Sequence, residues 1–133
     1  MAKSNGNLHK AKKEKNDEFY TLYEDIEKEI KNYDLKGKWV YSPFDDYRKA
    51  NFVKYFKNNF EILGLKHYTA TCINNGDGAW RYDYDGEKEV IQRIDDGDYA
   101  CPYCTAIKNA CDIVISNPPF SQFRKIIKWL EEE

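Results

Sequence analysis

No apolar run in these 133 residues approaches the roughly 20 that a membrane span needs, and no signal-peptide pattern opens the chain. The start is instead polar and basic, "MAKSNGNLHKAKKEK", which reads as a cytoplasmic protein. Cysteines number only four, at positions 72, 101, 104 and 111, and in that compartment they do not form a disulfide framework. A single C-x-x-C is present, so the two-knuckle zinc pattern is missing. His9 and His67 stand alone and suggest no role. No internal repeat and no low-complexity tract occurs. A net charge of −2 excludes a uniformly basic nucleic-acid binder.

What is there is a globular composition, 33% charged and 16% aromatic, in a chain long enough for one core. Its charge is uneven. Lys3, Lys10, Lys12, Lys13 and Lys15 face only Glu14 in the first 15 residues, and "EEE" closes the chain. Residues 1–15 therefore read as a basic arm, suited to phosphate contact or simply a solvated terminus. Residues 16–133 read as one domain.

Along that domain the hydrophobic period changes repeatedly. Leu22, Ile26, Ile30 and Tyr33 recur at helical spacing, with Thr21 as N-cap and Gly37 just beyond the end. "KGKWVYS" reads as a strand. "DDYRKANFVKYFKNNFEILG" reads as a helix capped by Asp45 or Asp46, with Phe52, Phe56 and Phe60 on one face and Gly64 as its stop. "LKHYTATCI" is a second strand, and "RYDYDGEKEVIQRI" suits a hairpin around Asp85-Gly86. "CTAIKNAC" is a short helix. "DIVIS" is a continuous apolar run, as expected of a strand buried on both faces. "SQFRKIIKWLEEE" is an amphipathic helix capped by Ser121, with Phe123, Ile126, Ile127 and Leu130 inward. This alternation predicts an α/β fold with a mainly parallel sheet of about four strands. In such sheets ligands bind beyond the carboxyl ends of the strands, where "SPFDD", "DGDY" and "NPPF" all fall.

The corner Asn117-Pro118-Pro119-Phe120 has its own chemistry. Each proline fixes its φ and restricts the residue before it, so the corner is stiff. Neither proline carries an N–H, which leaves carbonyl acceptors beside the Asn117 amide oxygen and the flat face of Phe120. Two acceptors beside a stacking platform suit a planar ligand with an exocyclic amine, such as a nucleobase flipped out of a duplex. A plain stiff β-to-α turn is the competing reading.

"NLHKAKKEKNDEFYT", "KWVYSPFDDYRKANFVKYF", "LGLKHYTATC" and "CDIVISNPPFSQF" together resemble the EcoRI-type adenine-N6 DNA methyltransferases, over nearly the whole chain from about residue 7. That resemblance implies a partial Rossmann-like fold, S-adenosylmethionine as cofactor and double-stranded DNA as substrate, with no metal. It implies that Asn117 and the Pro118 carbonyl receive the amine hydrogens of a flipped adenine, that Phe120 stacks on the base, and that Pro119, Lys12 and Lys13 contact substrate. Phe19, Tyr20 and Thr21 would line the methionine end of the cofactor, with Asp45 and Asp46 near it. Asp98 would accept a hydrogen bond from its adenine amine. Two departures stand out. No G-x-G turn follows the first strand, although a sulfonium cofactor has no phosphates to cradle. No carboxylate follows the second strand for the ribose, where Asn74 is a weak substitute.

A complete sheet of this architecture has more strands than are predicted here, followed by a region that reads the DNA sequence. The expectation is a truncated or split enzyme, inactive alone, with a complementing chain as a possible partner. Two other classes stay open. Cys72, Cys101, Cys104 and Cys111 could hold zinc, or "CPYC" could serve thiol chemistry. Alternatively, the basic arm and the aromatic "AWRYDYDG" hairpin could form a non-catalytic DNA-binding or interaction module.

Overall fold

The computed structural model describes residues 22–74, 76, 78–116 and 123–132. Ten elements follow in order: α1 (Tyr23–Ile30), β1 (Trp39–Ser42), α2 (Asn51–Asn58), α3 (Phe60–Leu63), β2 (His67–Cys72), β3 (Ala79–Tyr84), β4 (Glu89–Ile94), α4 (Pro102–Ala110), β5 (Ile113–Val114) and α5 (Phe123–Glu131). They build one five-stranded sheet in the order β4-β3-β2-β1-β5. β1 runs parallel to β2 and to β5, whereas β3 is antiparallel to both β2 and β4. The sheet is thus mixed and not mainly parallel. The hairpin reading was right, but its two strands join the main sheet and reverse its outer half.

Alternate residues of each strand serve opposite faces. On one face Val40, Tyr68, Ala70 and Tyr82 pack against Ile26 and Ile30 of α1, Val53, Tyr55 and Phe56 of α2, and Phe60 of α3. On the other, Tyr41 packs with Ile107 of α4 and Trp129 of α5, flanked by Trp39, Tyr99 and Val114. Helices on both faces and a parallel centre give an α/β layering.

Several local expectations need correction. Neither Asp45 nor Asp46 caps α2: the helix starts at Asn51 after Ala50, and both aspartates stay in the loop. Asp46 is used earlier, in a turn. Its carboxylate takes the Arg48 N–H at 2.9 Å, and its carbonyl takes the Ala50 N–H at 2.8 Å. The helix breaks at Asn59, and Gly64 ends the second piece in a left-handed conformation with φ 71°, where glycine is favoured. α1 stops at Ile30, so Tyr33 lies beyond it and is exposed. The "DIVIS" strand is two residues long and only half buried, because among the described residues it sits at the sheet margin, paired with β1 alone. In α5 the inward face is Ile126 and Trp129; Ile127 and Leu130 remain 39% and 38% exposed. Ser121, Thr21 and the Phe123 side chain lie outside the described residues.

Candidate functional site

β2, β1 and β5 run parallel, so their carboxyl ends share one rim. β1 connects to β2 on one side through α2 and α3, and the chain reaches β5 on the other side through α4. The connections therefore diverge between β1 and β5, which is where open α/β sheets place their ligand crevice. The loop after β1, "SPFDD", and the chain leaving β5 flank that point.

These two segments are tied together by side chains. Ser42 Oγ donates to the Ile115 carbonyl at 2.5 Å, and Tyr68 OH donates to Ser42 Oγ at 2.8 Å. The Phe44 N–H donates to Ser116 Oγ at 3.0 Å, while Ser116 Oγ donates in turn to the Asp45 carboxylate. On the opposite side the Asp45 N–H donates to the Thr71 carbonyl at 3.2 Å. Asp45 thus bridges from the end of β2 to Ser116, the residue just before Asn117.

The "DGDY" loop reaches the same rim, since β4 ends level with the carboxyl end of β2. Gly97 lies against the Cys72 carbonyl so closely that a Cβ there would sit 1.9 Å from the oxygen; only glycine fits. The Tyr99 ring meets Phe44 at 5.3 Å between centroids and Trp129 at 4.9 Å. "SPFDD" and "DGDY" are therefore brought together as expected.

The three aspartates differ in what they present. Asp45 and Asp46 are buried. Burial pushes the Asp46 carboxyl up, but the Arg48 guanidinium, at 2.9 and 2.8 Å, and the Arg48 N–H more than offset this and hold it below its ordinary range. Asp98 is exposed; its Oδ1 accepts the Ala100 N–H at 3.1 Å, and Oδ2 bonds to no other group among the described residues. Asn74 is spent within its own turn, its Oδ1 accepting from Gly76 and Gly78 N–H at 2.8 and 2.9 Å. Lys12, Lys13, Phe19, Tyr20, Thr21, Asn117, Pro118, Pro119 and Phe120 lie outside the described residues. An open groove of about 430 Å³ between α4 and α5 shares only Tyr99 and Ala100 with these loops.

The other residue classes resolve differently. Cys101 is the N-cap of α4: its Sγ accepts the Cys104 N–H at 3.4 Å and donates to the Asp96 carbonyl at 3.3 Å. Burial raises the Cys72 thiol, pushes Cys104 up to about 12 and pushes Cys111 up to about 11, so all three are protonated at neutral pH. Among the described residues no three His, Cys, Asp or Glu side chains converge to hold a metal. Nor does any helix among them have the length and apolarity to cross a membrane. The hairpin aromatics turn inward: Tyr82 stacks on Tyr47 at 5.8 Å, and Tyr84 meets Phe60 at 5.0 Å. That leaves them poorly placed to stack on a nucleic-acid strand.

Sequence reasoning missed Ser42 and Ser116, whose hydroxyls do the joining, and Thr71, whose backbone carbonyl takes the Asp45 N–H. It also left His67 without a role, although His67 Nε2 shares a 2.8 Å bond with the Asp83 carboxylate. Small polar residues in or beside strands carry no periodic signal, so only the register exposes them.

Comparison with known proteins bears on this rim directly. The sequence profile of a family described as "Adenine-specific methyltransferase EcoRI" matches residues 7–92. The chain is 41% identical to Type II methyltransferase M.EcoRI of Escherichia coli, over 92% of this chain and 44% of that protein. It is 35% identical to M.MpnI of Mycoplasma pneumoniae, over 94% and 40%, and 33% identical to M.MgeORF184P of Mycoplasma genitalium, over 92% and 40%. The chain thus spans less than half the length of each of these relatives. No solved structure matches it. The profile covers more than half of the chain, including β1, its loop, β2 and most of the hairpin, and the chain belongs to the EcoRI family of adenine-specific methyltransferases.

Proposed function

We propose that residues 16–133 form the cofactor-binding and target-base-binding part of an S-adenosylmethionine-dependent DNA adenine-N6 methyltransferase of restriction–modification type. The observation that carries this reading is the Phe44–Ser116–Asp45 connection, which fastens the loop after β1 to the strand leading into Asn117-Pro118-Pro119-Phe120. A methyl donor and its acceptor must meet with reacting atoms close and aligned, and rigid coupling of their two loops serves that end.

The groups on the rim suit the cofactor. The open oxygen of Asp98 suits an adenine amine, and the Phe44–Tyr99 pair offers an apolar wall beside it. The rim needs no phosphate cradle, because this cofactor has no phosphate. When bound, S-adenosylmethionine supplies an electrophilic methyl group on a sulfonium. In this reading Asp98 orients the nucleoside end, and Phe19, Tyr20 and Thr21 line the methionine end. Asp45 and Asp46 hold the loop in shape from within. Asn117 Oδ1 and the Pro118 carbonyl accept the two hydrogens of the target amine, which keeps electron density on its nitrogen; Phe120 stacks on the base beside Pro119. Lys12 and Lys13 contact the DNA backbone.

Calorimetric titration of the 133-residue chain with S-adenosylmethionine tests the cofactor half. Saturable binding is expected, weakened roughly tenfold to a hundredfold by Asp98→Ala, the range for losing a hydrogen bond to a charged group. Absence of binding by a folded chain would overturn the proposal. Methyl transfer to DNA is expected only when the counterpart of the relatives' remaining length is present; labelled transfer by residues 1–133 alone would overturn that part.

A further inference from the structure

The proposed function leaves "CPYC" unused. Cys101 caps α4, and Cys104 lies at the third position of its first turn. An extended N-cap backbone, φ −69° and ψ 158°, folds the Cys101 side chain back over that turn, where Sγ accepts the Cys104 N–H at 3.4 Å. The two thiols stand within hydrogen-bonding reach of each other. Neither of the other cysteines is placed to pair with them. Cys72 follows Ala70 onto the α1–α3 face of the sheet, whereas Cys104 lies on the other face, its Sγ 3.9 Å from Thr71 Oγ1. Cys111 is seven residues beyond Cys104, roughly 10 Å of helix rise, which exceeds the Cα separation of about 7 Å that a disulfide tolerates. All four thiols are free, and Cys101 and Cys104 can reach only each other.

Their exposure is unequal. Cys101 is partly exposed, and Cys104 is sealed from solvent. An oxidant in solution therefore meets Cys101 first. Burial, which pushes the Cys104 thiol up to about 12, keeps it from reacting directly, but its attack on a modified Cys101 is intramolecular. Cys101 also anchors the "DGDY" loop. Its N–H donates to the Asp98 carbonyl at 3.0 Å, and its thiol donates to the Asp96 carbonyl at 3.3 Å. A disulfide sulfur has no hydrogen to donate, so oxidation removes the second tie and leaves the first.

We propose that Cys101 and Cys104 are a redox modification site, forming a reversible disulfide that loosens the "DGDY" loop at the rim. With a small-molecule disulfide as oxidant, the Cys101 thiolate attacks one of its sulfurs, the oxidant's S–S bond breaks, and one thiolate leaves. The Cys104 thiolate then attacks the Cys101 sulfur and expels the second. Two protein thiols give up two electrons and two protons, which the oxidant takes up as two thiols. A weaker presentation of Asp98 to the cofactor rests on the proposed function; the disulfide does not. The test exposes the folded 133-residue chain to excess oxidised glutathione without cofactor. Intact mass, alkylation of free thiols with peptide mapping, and amide exchange are then read. Wild type is expected to lose two hydrogens, to close both cysteines to alkylation and to recover in dithiothreitol. Exchange in residues 98–101 is expected to run roughly twofold to fivefold faster in the oxidised chain. Cys104→Ser is expected to stop with one glutathione on Cys101. Cys101→Ser keeps an N-capping oxygen and is expected to remain unmodified at Cys104. Peptide mapping of the wild type identifies the pair even if Cys104→Ser, which buries a hydroxyl, does not fold. A folded chain that keeps all four thiols overturns the proposal. So does a disulfide through Cys72 or Cys111, one that survives either substitution, or oxidation that leaves exchange in the loop unchanged.

Discussion

The two faces of the sheet are made by the same strands, yet they are built from different materials. Toward α1, α2 and α3 the contacts are ring on ring: Phe56 on Tyr68 at 5.0 Å, Tyr55 on Phe56 at 5.4 Å, Tyr23 on Tyr55 at 5.6 Å. Toward α4 and α5 a small apolar patch adjoins a hydrogen-bonded layer. Trp39 Nε1 donates to Thr69 Oγ1 at 2.9 Å, and Thr69 Oγ1 donates to Asp83 at 2.7 Å. Asp83 also meets His67 at 2.8 Å and Arg81 at 2.7 Å, and Arg81 reaches Tyr103 of α4 at 2.9 Å. Burying apolar rings stabilises without regard to direction, whereas a buried carboxylate is tolerated only if its donors stand in fixed places. One face therefore supplies stability. The other fixes orientation and makes the fold sensitive to pH.

The largest expected effect breaks the first face. Phe56→Ala removes a fully buried ring from between α2 and β2 and is expected to cost about 3–5 kcal/mol in denaturant unfolding, near the whole stability of a small domain. A cost under about 1 kcal/mol would mean that the aromatic layer is not where stability resides.

Asp83→Asn probes the other face. Burial pushes the Asp83 carboxyl up, but hydrogen bonds from His67, Arg81 and Thr69 more than offset it and hold the group below its ordinary value. The unfolded chain therefore takes up this proton at higher pH than the native state does. The stabilisation is complete above the ordinary carboxylate pKa of about 3.9, and it is lost as pH falls through the lower native value. At pH 7 the variant should be about 2–3 kcal/mol less stable, the range for hydrogen bonds to a charged group. The gap to wild type should close in acid. A deficit that persisted unchanged at low pH would assign the loss to packing instead of charge.

The contrast between the faces also accounts for what could be read from the sequence. Apolar periodicity located the helices of the aromatic face, and Gly64 and Asp85-Gly86 marked their stop and turn. The second face was less legible because its inward residues are Thr69, Thr71, Arg81 and Asp83, which alternate without looking hydrophobic. In α5, Ile126, Ile127, Trp129 and Leu130 surround much of the helix, so composition could not say that Trp129 turns inward, where its Nε1 donates to Thr105 Oγ1 at 2.9 Å. Asp45 and Asp46 were placed correctly after the first strand but assigned to a helix cap. The Asp45 bond to Thr71, across 26 residues of sequence, is what holds them in the loop.

The smallest expected stability effect lies where the two faces meet at the rim. Ser116→Ala removes one hydroxyl that both accepts from the Phe44 N–H and donates to Asp45. Ser116 is only partly buried, so water takes over much of these two bonds and their loss costs about 1 kcal/mol; the variant should remain folded with a small fall in Tm. Its effect on ligand should be disproportionate. If Ser116 merely fills space, S-adenosylmethionine affinity follows the small stability change. If it couples the loop after β1 to the chain entering Asn117, affinity falls while global stability barely moves, and Ser116→Thr, which keeps the hydroxyl, recovers part of it. The two readouts separate because coupling costs the protein little until a ligand depends on both loops at once.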